Sequence, residues 1–156
     1  MKILVAYYSR SGHTKEMAQA IAKGVRNEGV ECDLRDISEV NVDDLLDYDA
    51  LLFGSPTYYG QMAAELKKLF DDSVKHHGKL TGKIGGAFTS SGMVGGGGET
   101  TIFSIIHALL IHGMIIVGDA EMQHYGPLAI ELPDEEAVKK CVKYGQKTAA
   151  LTKKIT

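Results

Sequence analysis

The sequence has no tryptophan, only three prolines and only two cysteines. Cys32 and Cys141 lie far apart and form no CxxC pair. Two free thiols and a reduced, cytoplasmic setting are therefore expected rather than a disulfide scaffold. No apolar run approaches the ~18 residues that a membrane span requires. The opening Met1–Ala6 is too short for the apolar core of a secretory signal and has no small-residue cleavage site. Charge of one sign is also lacking: seventeen Lys and Arg stand against twenty Asp and Glu, for a net charge of -3. That balance gives no broad cationic surface for nucleic acid or for an anionic membrane. No Gly-Lys-Ser/Thr triplet occurs, which excludes a Walker A loop, and the dinucleotide glycine fingerprint is missing from the first strand–helix turn. What remains is a chain of 156 residues, 44% hydrophobic and 24% charged. This is ordinary globular usage, sized for one domain over residues 1–156.

Short apolar runs alternate with longer amphipathic stretches. Ile3 to Tyr8 is continuously apolar, as a strand buried on both faces would be. Residues 14–28 carry Met17, Ala18, Ile21, Ala22 and Val25 at helical spacing, with Gly29 as the stop. Further strands are predicted at 30–34, 50–54, 83–89 and 114–118. Further helices are predicted at 63–70, 99–111 and from Asp134 to about Thr152, where Asp134 caps and an acidic first turn suits the dipole. Five strands separated by helices imply an α/β fold, a parallel sheet with helices on both faces. Ligands of such sheets sit beyond the C-terminal strand ends. Three of those ends carry loops rich in Ser, Thr, Gly and Tyr, which points to one shared site.

The first loop is Ser9-Arg10-Ser11-Gly12-His13-Thr14. A helix starts there, so free N–H groups and a partial positive charge face any anion. Hydroxyls of Ser9, Ser11 and Thr14 can add donors, and Gly12 lets the backbone curl closely. Such a neutral nest suits a phosphate monoester; the same Ser and Thr would also serve as plain helix caps. Arg10 and His13 are either phosphate partners or solvated loop charges. The second loop, Pro56-Thr57-Tyr58-Tyr59-Gly60, brings two tyrosines that can cover a flat heterocycle or pack on the surface. The third, Thr89-Ser90-Ser91-Gly92 through Gly95, offers backbone N–H groups to polar ring edges, unless it is simply a flexible glycine loop.

The run Ser9–Thr14 resembles the FMN-phosphate loop of flavodoxins. Together with Gly54–Gly60, Ala87–Gly92, Gly97–Thr101 and His112–Val117, the chain resembles the WrbA-type flavoproteins, which are flavodoxin-like NAD(P)H:quinone oxidoreductases. The resemblance runs from Met1 to nearly the end. It implies a flavodoxin-like three-layer sandwich with a five-stranded sheet in the order 2-1-3-4-5 and one non-covalent FMN. Ser9, Ser11, Gly12, His13 and Thr14 would hold the phosphate, with Arg10 beside them. Pro56, Thr57, Tyr58, Tyr59 and Gly60 would flank the ring, and Thr89, Ser90, Ser91, Gly92 and Gly95 would line its pyrimidine side. His112 falls where WrbA-type proteins have a His near the flavin, which makes it the catalytic candidate; a helix-end His on the C-terminal dipole is the other reading. No metal is implied. The chain departs from the family in its shorter length, in Tyr58 at a usually basic position, and in the missing polar insertion after the Tyr125–Ile130 segment.

Two functions follow as expectations. One is electron transfer from NAD(P)H through FMN to a quinone, in a homo-oligomer, dimer or tetramer, whose neighbouring subunits complete the cleft. The other is a flavodoxin-type one-electron carrier between redox partner proteins, suggested by the aromatic-glycine pair Tyr59-Gly60. A receiver-type signalling domain is disfavoured. It needs acidic residues where this chain has Tyr8-Ser9 and Ser55-Pro56.

Overall fold

A computed structural model describes all residues, Met1–Thr156. β1 (Lys2–Tyr7) leads to α1 (His13–Asn27) and β2 (Glu31–Asp36). Two 3₁₀ turns, Ile37–Glu39 and Val42–Asp47, fill the acidic stretch before β3 (Ala50–Pro56). α2 (Ala64–Asp72) and the turn Ser73–His76 precede β4 (Ile84–Ser91) and α3 (Gly98–Ile111). The chain ends with β5 (Ile115–Ile116), β6 (Leu128–Ile130) and α4 (Glu135–Ile155). All pairings are parallel, in the order β2-β1-β3-β4-β5, with β6 also on β4.

The central strands are apolar throughout because helices cover both faces. Ile3, Val5 and Leu52 enter the layer under α1 and α4, whereas Leu4, Leu51 and Phe53 enter the layer under α2 and α3. Each fully buried aliphatic of this kind contributes about 1.5–3 kcal/mol of transfer free energy. α1 and α4 press together through reciprocal glycines. A Cβ at Gly24 would lie 2.0 Å from the Val142 carbonyl oxygen, and one at Gly145 would lie 2.1 Å from that of Ile21.

The fifth strand departs from the expected single run at 114–118. It comes in two pieces on the same side of β4: β5 pairs with Ile84 and Gly85, and β6 pairs with Thr89, Ser90 and Ser91. Residues 117–127 make an excursion between them. Asp119 organises it: its carboxylate accepts the N–H groups of Glu121 and Met122 and pairs with Lys147 of α4 at 3.0 Å, which turns the chain off the sheet. Pro127 returns it, its carbonyl accepting Thr89 N–H at 2.9 Å.

Candidate functional site

The loops after β1, β3 and β4 meet at the C-terminal edge of the sheet, joined by the residue that follows β6. They enclose a cleft of about 480 Å³. The first loop contributes Arg10, Ser11 and His13, the second Pro56 and Tyr58, the third Ser90, Ser91 and Gly92, and the fourth Glu131. That volume lies within the ~300–1,000 Å³ range of small-molecule sites.

At one end of the cleft α1 begins without a side-chain cap, behind Gly12 at φ 95°. A left-handed residue here is what glycine allows and other residues resist. Ser9 Oγ accepts Gly12 N–H at 3.1 Å and shapes the turn, which leaves its own O–H to donate outward. The free N–H groups of the first helical turn, the dipole and the hydroxyls of Ser9 and Ser11 form a donor set suited to a phosphate monoester. Arg10 and Ser11 are exposed, and His13 is half-buried. Thr14 differs: it is buried, and its hydroxyl lies 2.8 Å from that of Ser90.

At the other end Tyr58 to Gln61 forms a tight turn closed by two reciprocal backbone hydrogen bonds of 3.0 Å. Both central residues are left-handed, Tyr59 at φ 50° and Gly60 at φ 72°, the signature of a type I′ turn. Tyr58 faces the cleft, held edge-on by Tyr8 at 6.5 Å. A hydrogen bond to Glu65, with burial adding to it, keeps the Tyr8 hydroxyl protonated above its ordinary range. Tyr59 is fully exposed at the tip.

The turn rests on the third loop glycine to glycine: a Cβ at Gly97 would lie 2.7 Å from the Gly60 Cα. Gly97, at φ 94°, starts α3 without a side-chain cap. Gly92 and Gly95 are exposed in the same loop.

The hydroxyls beneath are committed to the framework. Thr89 donates to the Ser55 carbonyl at 2.6 Å and lies 3.0 Å from the Thr57 hydroxyl. Ser55 Oγ accepts Ala63 N–H at 2.8 Å, and Ser91 donates to the Met93 carbonyl at 3.2 Å. Thr57 and Thr89 therefore brace the floor of the cleft.

His112 does not join this group. α3 starts at the cleft and runs away from it, so its end lies about 20 Å off at ~1.5 Å per residue, on the opposite edge of the sheet. There His112 is buried at the helix C-cap, with Nε2 2.8 Å from the Ser73 hydroxyl and its ring 6.3 Å from His77. It cannot touch a ligand held in the cleft of the same chain, and the helix-end reading is the one the geometry supports. Burial, reinforced by His77 and His76, holds its pKa below the ordinary histidine value. A base depressed in this way stabilises the fold fully above about pH 6.5, its unfolded value, and that stability is lost as pH falls through the lowered folded value. Wild type is accordingly expected to lose Tm between pH 7 and 5 more steeply than His112→Gln, measured by thermal unfolding across that range.

Glu131 has no marker in the sequence, and Gly97 enters there only as the first residue of the Gly97–Thr101 segment. Glu131 sits in the left-handed region at φ 55° and donates its N–H to the Ser91 carbonyl at 2.7 Å. Its signal is positional, the first residue after a strand end at the cleft edge, and it is visible only once β6 is recognised.

The flavodoxin-domain family model matches residues 4–99. A protein from Sinorhizobium fredii named NAD(P)H dehydrogenase (quinone) is 39% identical over 139 residues, covering 75% of this chain and 70% of the relative. A flavodoxin, WrbA-like protein from Agrobacterium tumefaciens superposes with TM-score 0.88 at 28% identity, over 99% of both chains. A flavodoxin from the domain Archaea gives TM-score 0.84 at 29% identity, over 98% of this chain and 99% of that one. The doubly wound sheet and its glycine-hinged cleft thus agree with the sequence matches: the chain belongs to the flavodoxin family.

Proposed function

We propose that the protein binds FMN in this cleft and transfers electrons from NAD(P)H to a quinone, as an FMN-dependent NAD(P)H:quinone oxidoreductase. The observation that carries the reading is the convergence of three strand ends on one cleft. That cleft has a phosphate-type donor set at the α1 terminus and an aromatic wall, Tyr58, at its far end. The bacterial relatives named NAD(P)H dehydrogenase (quinone) support the choice of donor and acceptor. Bound FMN would supply the redox chemistry, exchanging two electrons with a nicotinamide and then with a quinone. In balance, NAD(P)H and one proton reduce the quinone to its hydroquinone and leave NAD(P)⁺.

This chain's residues bind and orient. The first turn of α1 with Ser9 and Ser11 anchors the phosphate, and Arg10 and His13 flank it. Tyr58 fixes the ring plane, and backbone N–H groups of Gly92 and Gly95 meet the polar ring edge. Tyr59 at the exposed tip offers a flat surface to the incoming nicotinamide or quinone.

Steady-state oxidation of NADH and NADPH with benzoquinone tests the reading on FMN-loaded protein. Turnover dependent on FMN is expected, and FMN-loaded protein that does not turn over removes the enzymatic reading. The type I′ turn at Tyr59-Gly60 favours a second reading, a one-electron carrier between redox proteins. A redox titration that resolves two separated one-electron steps, without quinone turnover, selects it.

The proposal extends to a homo-oligomer. α3 is apolar on both sides: Ile102, Ile105 and Leu109 face the core, whereas Leu110 and Ile111 are exposed beside Ile115 and Val117. None of these exposed residues is charged, so two copies can meet there without repulsion. Light scattering on the FMN-loaded protein checks this, and a monomer at all concentrations removes it.

A further inference from the structure

Ser90 ties together three of the loops that form the cleft. Its hydroxyl lies 2.8 Å from Thr14 Oγ1 in the first turn of α1, and both residues are buried, at 5% and 1% exposure. Its carbonyl accepts Thr57 N–H at 2.8 Å, which ties in the second loop. It also stands at the end of β4, where the third loop departs. The Thr14 contact is the only hydrogen bond that the Ser90 side chain makes. Strand alternation explains the split of labour. Thr89 turns its hydroxyl to the Ser55 carbonyl, and Ser90 turns its own to the opposite face, under the phosphate end.

We infer that Ser90 is a positioning residue for phosphate recognition, acting through Thr14 rather than lining the ring. Each hydroxyl has one proton and two lone pairs. When Ser90 donates to Thr14 Oγ1, the Thr14 proton is left to donate elsewhere, and the helix terminus is where an anion would accept it. A bond to a charged acceptor is stronger than one between neutral groups, and a chain of two polarises both members. Donation from Ser90 to Thr14 to phosphate is therefore the ordering that an anion selects. Without Ser90, the Thr14 hydroxyl loses the partner that fixes its direction.

The inference rests on the FMN reading, and its test separates the two. FMN and riboflavin share the ring and the ribityl chain and differ in the phosphate. Both are titrated against wild type, Ser90→Ala, Thr14→Val, the double variant and Ser90→Thr, and the ratio of the two affinities is read. Wild type prefers FMN. Ser90→Ala weakens FMN about tenfold and leaves riboflavin within about twofold, as misdirecting the charge-assisted hydrogen bond from Thr14 to the phosphate would. Thr14→Val behaves alike, the double variant is no weaker than Thr14→Val alone, and Ser90→Thr, which keeps the hydroxyl, restores the preference for FMN. Equal weakening of both ligands by Ser90→Ala means a merely structural role and overturns the inference, as does additivity in the double variant. A wild-type protein that takes up neither ligand overturns the FMN reading itself.

Discussion

Gly24→Ala is expected to destabilise the protein by about 3 kcal/mol, although alanine in a helix normally gains ~1 kcal/mol over glycine. The sign reverses because the added methyl would sit 2.0 Å from the Val142 carbonyl oxygen and 3.1 Å from the Gln146 nitrogen. These are backbone atoms of α4, so no side chain can swing aside. The helices must separate, which uncovers Ile21, Val25 and Cys141 in the layer beneath. Gly145→Ala meets the Ile21 carbonyl oxygen at 2.1 Å and should cost as much. The double variant should cost less than the two single losses together, because the first separation already makes room for the second methyl. Urea unfolding of the four proteins checks both statements. Gly29→Ala is a poor control, since φ is 70° there and an alanine would be strained on that account alone.

Ser11→Glu is expected to move two properties in opposite directions. A carboxylate at this position precedes the uncapped start of α1 and meets its positive end, so the ligand-free protein should gain about 0.5 kcal/mol. The same carboxylate occupies the donor set proposed for the FMN phosphate and repels it. FMN affinity should fall at least ~100-fold, on the scale of a close like-charge contact in a partly enclosed site. Thermal unfolding without ligand and fluorescence titration with FMN read the two effects separately. A variant that is both less stable and weaker-binding would mean that the loop is damaged instead.

Much of the fold is legible because burial on two faces writes itself as unbroken apolar runs. Ile3–Ala6 and Ala50–Phe53 are such runs, and both are central strands. β2 starts one residue later than its apolar pattern suggests, since its pairing is set by the register of Lys2 opposite Glu31. The outer strand was less legible for a physical reason. Asp119 and Lys147 divert the chain through a contact between segments distant in sequence, which no local pattern records. Losing β6 from view also hid Glu131. At the cleft, residue types mark the loops that meet there, but not where each hydroxyl is spent: Thr89 donates to the Ser55 carbonyl, and Thr14 meets Ser90. His112 became a candidate through resemblance alone, and topology sets it at the far edge of the sheet from the cleft of its own chain. A helix that begins at the C-terminal edge of a parallel sheet must end at the other edge.

The divided outer strand has a consequence for solubility. A parallel sheet ends in a flank of unpaired amides and carbonyls, which can template association with another unfolded or partly folded chain. Here that flank is cut into Ile115–Ile116 and Leu128–Ile130, each too short to recruit an extended segment. The opposite flank, β2, is longer but carries Asp33 and Arg35 locked in ion pairs with Lys2 and Asp44. One border of the sheet thus resists aggregation by interruption, and the other by charge.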